Sequence, residues 1–160
     1  MKKMFTKIVM KSFLLLMAVT VVFSLNSCKN GDDRDDNNGK GNNYKITLTL
    51  NGIDADDYVS FTLAGVNNTA DTSVWKINGQ TQTGQIGIGM NADQFTGSTK
   101  TYVIESNFPL VSVASGFSVS NLGAGTITGN LKIEKNGNEA VNQPVNLTTD
   151  GASIIKQYNL

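Results

Sequence analysis

From residue 44 onward the sequence predicts an all-β fold, an antiparallel β-sandwich, and three observations point there. Apolar and polar residues alternate in short runs, which is the period of a half-buried strand. Asn-Gly pairs at Asn51–Gly52, Asn78–Gly79 and Asn136–Gly137 punctuate those runs. Both residue types reach positive φ at low cost, as tight hairpin turns require. No stretch sustains a 3.6-residue period over the length of a helix.

The strands can be read off in order. "YKITLTL" puts Tyr44, Ile46, Leu48 and Leu50 on one face and Lys45, Thr47 and Thr49 on the other. "YVSFTLAG" repeats this with Val59, Phe61 and Leu63 inward. "SVWKING" sets Trp75 beside Ile77, and "GQIGIGM" groups Ile86, Ile88 and Met90. "KTYVIES", "PLVSVAS", "GFSVS", "GTITGNLKIEK", "EAVNQPVNL" and "SIIKQYNL" complete the set, and "NADQFTG" has room for one helical turn. "LKIEKNGNEAVNQ" reads as a hairpin turning at Asn136–Gly137. Pro109 and Pro144 belong at strand starts or edges, because proline gives no ladder hydrogen bond. One inward face per strand yields about 25–30 apolar residues, enough for a single core. These spacings fit an immunoglobulin-like or a jelly-roll topology equally well.

The front of the chain is built differently. Lys2, Lys3, Lys7 and Lys11 precede "FLLLMAVTVVFSL", an almost unbroken apolar run from Phe13 to Leu25. A basic segment, a short apolar segment and small residues make a secretory signal. A permanent span needs about 20 apolar residues, more than this run supplies. The expected organisation is a signal helix over 1–27, a disordered tether over 28–43 and the sandwich over 44–160. Past the signal, nine basic residues stand against thirteen acidic ones, a net charge near −4. The absence of a basic cluster excludes a nucleic-acid partner, whose phosphates such a cluster would neutralise.

Cys28 is the one cysteine of the chain, so no internal disulfide is available. It directly follows Leu25-Asn26-Ser27 at the cleavage end of the signal. This stretch resembles the lipobox of bacterial lipoproteins, with Leu three places before the cysteine and Ser just before it. The resemblance implies that the Cys28 sulfur carries diacylglycerol and that Cys28 becomes the first residue of the mature protein. Each buried methylene contributes ~0.8 kcal/mol, so two or three acyl chains make a stable anchor.

The segment "KNGDDRDDNNGKGNN" after Cys28 has no apolar residue with which to offset the entropy of ordering. As a flexible chain it spans ~20–25 Å on average. Asp32, Asp33, Asp35 and Asp36 resemble the acidic export signal of Bacteroidetes surface lipoproteins. That resemblance implies an outer-membrane protein, anchored by lipid and displayed at the cell surface.

The chain has no histidine. That removes Ser–His and Cys–His nucleophile pairs, imidazole metal sites and the commonest general base. A glycosidase would need two carboxyl groups across a cleft, yet Glu134 and Glu139 flank a solvated turn and Glu105 stands alone. Asp54, Asp56 and Asp57 in "NGIDADDY" are candidate Ca²⁺ ligands at a sandwich edge, although the EF-hand spacing is missing. Gly87 to Ala92, "GIGMNA", satisfies a G-x-G-x-x-A pattern. The residues after it are turn-forming and β-patterned, so the glycines read as a bulge or a close sheet contact. Trp75, Tyr58 and Tyr102 are candidate rings for a glycan platform. The reading is a non-enzymatic surface lipoprotein with no cofactor other than a candidate Ca²⁺. Its sandwich serves binding of an unidentified protein or glycan, adhesion or envelope structure. The alternative is a glycan-binding module of a surface polysaccharide-uptake system.

Overall fold

A computed structural model describes residues 41–160. The signal segment, Cys28 and the acidic residues Asp32, Asp33, Asp35 and Asp36 lie outside the described residues.

Ten strands run through the described chain: β1 (Tyr44–Asn51), β2 (Tyr58–Val66), β3 (Trp75–Ile77), β4 (Gln80–Thr81), β5 (Gly87–Asn91), β6 (Lys100–Ser106), β7 (Ser112–Ser120), β8 (Ile127–Lys135), β9 (Asn138–Leu147) and β10 (Ser153–Asn159). They form two antiparallel sheets, one ordered β4-β3-β6-β1-β8-β9 and the other β10-β7-β2-β5. The fold is a β-sandwich, as the alternation predicts.

The core follows from strand parity. Ile46, Leu48 and Leu50 of β1 bury against the inward residues of the other sheet, Val59, Phe61 and Leu63 of β2 and Phe117 and Val119 of β7. Trp75, Phe61, Phe95 and Phe117 are its largest fully buried side chains. Each apolar side chain of this size contributes ~1.5–3 kcal/mol by leaving water.

Several local expectations need correction. "PLVSVAS" and "GFSVS" are not two strands. Ser112 to Ser120 is one strand, and Gly116 stays in the ladder opposite Thr62. A glycine that reads as a break is here the place where the Thr62 hydroxyl lies over bare backbone, 2.7 Å from where a Cβ would stand. Ile86 is 56% exposed and precedes β5, whereas Ile88 and Met90 face the core as expected. Asn51–Gly52 makes no hairpin, because β1 and β2 belong to different sheets and the chain crosses between them there. The other two Asn-Gly pairs do turn hairpins, β3–β4 and β8–β9, with φ of 48° and 81° at Asn78 and Gly79 and 52° and 79° at Asn136 and Gly137. Pro144 sits in the edge strand β9. The short helical turn of "NADQFTG" is a 3-10 turn, Ala92–Gln94, closed by a reciprocal Asn91–Gln94 capping box.

The antiparallel registers sort the loops to two ends. At one end, Asn42 bridges Leu110, and Asn43 and Asn136 exchange hydrogen bonds, so the chain enters the sandwich beside the β8–β9 turn. Loops 67–74 and 107–111 share that end. Loops 52–57, 92–99, 121–126 and 148–152 lie at the opposite end.

Candidate functional site

The far loops are tied together by two polar side chains that the sandwich buries. Asp57 is 7% exposed. Its Oδ2 accepts the Asp54 backbone N–H at 3.0 Å and its Oδ1 accepts the Leu122 N–H at 3.0 Å. One carboxylate thus closes the 52–57 loop on itself and fastens it to the β7–β8 connection. Charged acceptors make the stronger class of hydrogen bond, and burial raises the cost of losing one.

Asn121 is the second tie, and it is fully buried. Its amide N–H₂ donates to the carbonyls of Gly125 at 2.7 Å and Leu147 at 3.1 Å, and its Oδ1 accepts the Gly123 N–H at 3.1 Å. Its backbone N–H donates to the Ala152 carbonyl, and its own carbonyl accepts from Gly151. One residue therefore holds the 121–126 loop, the end of β9 and the 148–152 loop. Nothing in "SNLGAG" distinguishes it from an ordinary turn asparagine, because its partners come from distant sequence. The 92–99 segment joins the same end through the Gly97 N–H, which donates to Ile53 O.

The candidate calcium ligands are not brought together as a set. Asp57 is committed to two N–H groups. Asp54 Oδ1 accepts the Asp56 N–H at 3.0 Å, and the Asp56 side chain stands in solvent. Among the described residues no three acidic, histidine or cysteine side chains gather closely enough to hold a metal ion. Ca²⁺ takes six to eight oxygens, which this triplet does not supply as it stands. Asp54, Asp56, Asp93 and Asp150 form an exposed acidic rim at this end.

The glycan-ring candidates do not share a surface either. Trp75 is 0% exposed, and its indole N–H donates to Ile86 O at 3.0 Å, inside the core. Tyr58 is half exposed on β2, in the four-stranded sheet. Tyr102 lies on β6, in the other sheet, with its hydroxyl on Gln94 O and its ring edge-on to Phe95 at 5.3 Å. A platform needs parallel exposed rings on one face, and these three residues do not form one.

The two outer faces differ in charge. Lys45, Lys132, Glu105 and Glu134 stand on the six-stranded sheet, paired as Lys45–Glu105 at 3.9 Å and Lys132–Glu134 at 3.0 Å. The four-stranded sheet presents no charged residue outward. A shallow groove of about 290 Å³ runs over Ala114 and Gly116 between Thr62 and Gln157.

No family model and no curated protein matches the chain. Solved structures do share its fold. The calcium-bound form of a protein from Parabacteroides distasonis, determined by NMR, is 13% identical with a TM-score of 0.55, and the match covers 84% of this chain and 99% of that one. A DUF4425 family protein from Bacteroides ovatus is 12% identical with a TM-score of 0.53, covering 75% and 94%. A DUF4425 domain from Bacteroides vulgatus is 15% identical with a TM-score of 0.52, covering 76% and 94%. The likeness is one of fold, at an identity too low to carry residues across.

Proposed function

We propose that this chain is a lipid-anchored outer-membrane protein, displayed at the cell surface, whose sandwich acts by binding and not by catalysis. The anchor rests on Leu25-Asn26-Ser27-Cys28 and the address on the acidic residues Asp32, Asp33, Asp35 and Asp36. The observation that carries the reading is the position of Asn42 and Asn43. They are fastened at the end of the sandwich opposite the loops held by Asp57 and Asn121. A flexible tether that joins the sandwich at that end leaves the stitched loops at the end remote from the attachment, open to a partner. The lack of histidine, with Cys28 acylated, leaves the chain few means for nucleophilic or imidazole chemistry.

External protease added to intact cells tests this reading. Wild-type protein is expected to be cut. Replacement of Asp32, Asp33, Asp35 and Asp36 by Asn is expected to protect it while leaving it in the membrane fraction. A wild type that resists protease in intact cells but not in lysed ones would place the domain on the inner side and remove surface display.

Calcium binding at the loop end is a second reading, favoured by the calcium-bound form of the Parabacteroides neighbour. Asp54 and Asp56 would have to recruit backbone carbonyls and water, since Asp57 is occupied. A thermal midpoint raised by about 1 mM calcium, and no longer raised in an Asp54→Asn/Asp56→Asn double variant, supports it. Superimposable curves with calcium and with chelator remove it.

A further inference from the structure

A β-sheet is vulnerable at its edges, where unpaired N–H and C=O groups can template another strand. The sandwich has four edge strands, and three of them are spoiled for pairing. β4 is two residues long. β9 carries Pro144, which has no N–H to offer and whose carbonyl accepts the Gln143 side-chain amide at 2.8 Å. β5 has five residues, two of them glycine, and its Asn91 N–H is already donated to Gln94 Oε1 at 2.8 Å.

β10 is different. It runs seven residues, Ser153 to Asn159, without proline, glycine or bulge, and has a neighbour on one side only. Its hydrogen-bonding parity can be read from its ends. Leu160 and Val113 exchange both backbone bonds, and Asn121 donates to Ala152. Residues 152, 154, 156, 158 and 160 therefore turn their backbone groups to β7. Ser153, Ile155, Gln157 and Asn159 turn theirs to the open side.

The side chains of β10 are equally unfinished. Ile155 is 72% exposed, the most exposed large apolar residue described, and Ile154 and Tyr158 are only partly covered where they meet the core. The neighbouring outer face, Ser118, Gly116 and Ala114 of β7 with Thr62 of β2, is uncharged and low. A second sheet can continue this one without setting like charges side by side there. Lys156 is the one charge on the strand.

We propose that β10 is the seam of a homodimer. Two copies pair antiparallel about a two-fold axis at Ile155 and join their four-stranded sheets into one. In this register Ile155 faces Ile155 of the second copy, Ser153 faces Gln157, and Lys156 faces Ile154. Every inter-copy hydrogen bond is made by the residues whose backbone groups turn outward. The register one residue along, centred on Lys156, sets Lys156 directly against itself and is disfavoured by repulsion. A second copy is the occupant that this edge fits because it brings the same uncharged face and the same uncovered isoleucine. The interface is isologous and closes, as a two-fold dimer requires.

The test uses the full chain in detergent, with protein mass measured by light scattering from about 1 to 100 µM, the range in which a weak dimer forms and dissociates. Wild type is expected at twice its 17.1 kDa chain mass, or at the corresponding mass once its signal is removed. Gln157→Pro removes an outward N–H and no bond to β7, and is expected to halve that mass. Ile155→Lys is expected to do the same, which keeps the test valid should the proline variant fail to fold. Under mild oxidation Ile155→Cys should run as a disulfide-linked dimer, whereas Asn146→Cys on β9 should not. Wild type that stays monomeric throughout, or a dimer that survives both Gln157→Pro and Ile155→Lys, overturns the proposal.

Discussion

The carboxylate of Asp57 accepts the backbone N–H of Leu122 at 3.0 Å across 65 positions of sequence. This one bond joins the β1–β2 crossover to the β7–β8 loop, and a second bond from the same side chain closes the crossover itself. Replacing Asp57 with Ala strands two N–H groups in a half-buried site. The expected loss is about 1.5–3 kcal/mol of unfolding free energy, read from the urea midpoint at unchanged m-value. Asp56→Ala, whose side chain is in solvent, should stay within about 0.5 kcal/mol of wild type. Equal effects of the two substitutions would show that Asp57 is no tie.

From inside the protein the Asn121 side chain holds the 121–126 loop and the end of β9, and its backbone holds the 148–152 loop. Asn121→Ala should cost about 2–4 kcal/mol, because it leaves two carbonyls and an N–H without partners. Asn121→Asp should be no better, since a carboxylate cannot donate to Gly125 and Leu147. Amide exchange at Gly123, whose N–H donates to the Asn121 side-chain oxygen, should speed up in Asn121→Ala and less in Asn121→Asp, which keeps an acceptor. Unchanged exchange there would contradict the assignment.

Asp57 and Asn121 also mark how far the sequence could be read. Tyr44, Ile46, Leu48 and Leu50 announce β1 and its inward face, since period-2 alternation is a local property that burial then enforces. Asn136–Gly137 announces its hairpin for the same reason, a local φ requirement. Asp57 is legible as part of an acidic triplet, but its separation from Asp54 and Asp56 is not. That separation depends on Leu122, which only the packing of the two sheets brings near. Asn121 is invisible, because its partners lie as far away as Leu147. Gly116 misleads, because a glycine suggests a turn until Thr62 is seen to lie across it. Strand identity is written locally, whereas the site residues are defined by long-range contact.

Trp75 packs in the core and not on a surface. Trp75→Ala should destabilise by about 3–5 kcal/mol, while Tyr58→Ala should change stability by less than about 0.5 kcal/mol. Chemical denaturation of both variants checks this. A Trp75→Ala protein as stable as wild type would mean that the indole is not buried.

Burial pushes the Tyr158 hydroxyl above its ordinary value of 10.0. The folded protein then holds this proton to higher pH than the unfolded chain does. The linked contribution is fully present below pH 10 and is lost as pH rises through the folded-state value. Between about pH 9 and 11, wild type should therefore lose stability more steeply than Tyr158→Phe, which has no proton to release. Urea midpoints across that range give the comparison, and parallel curves would show that Tyr158 is not the linked group.

Metabolic labelling with a tagged fatty acid tests the anchor most directly. Cells producing the wild type should yield a labelled protein whose mass begins at Cys28, and cells producing Cys28→Ala should yield none. A wild type without label, or label retained after Cys28→Ala, would contradict the account of this chain as a lipid-anchored sandwich.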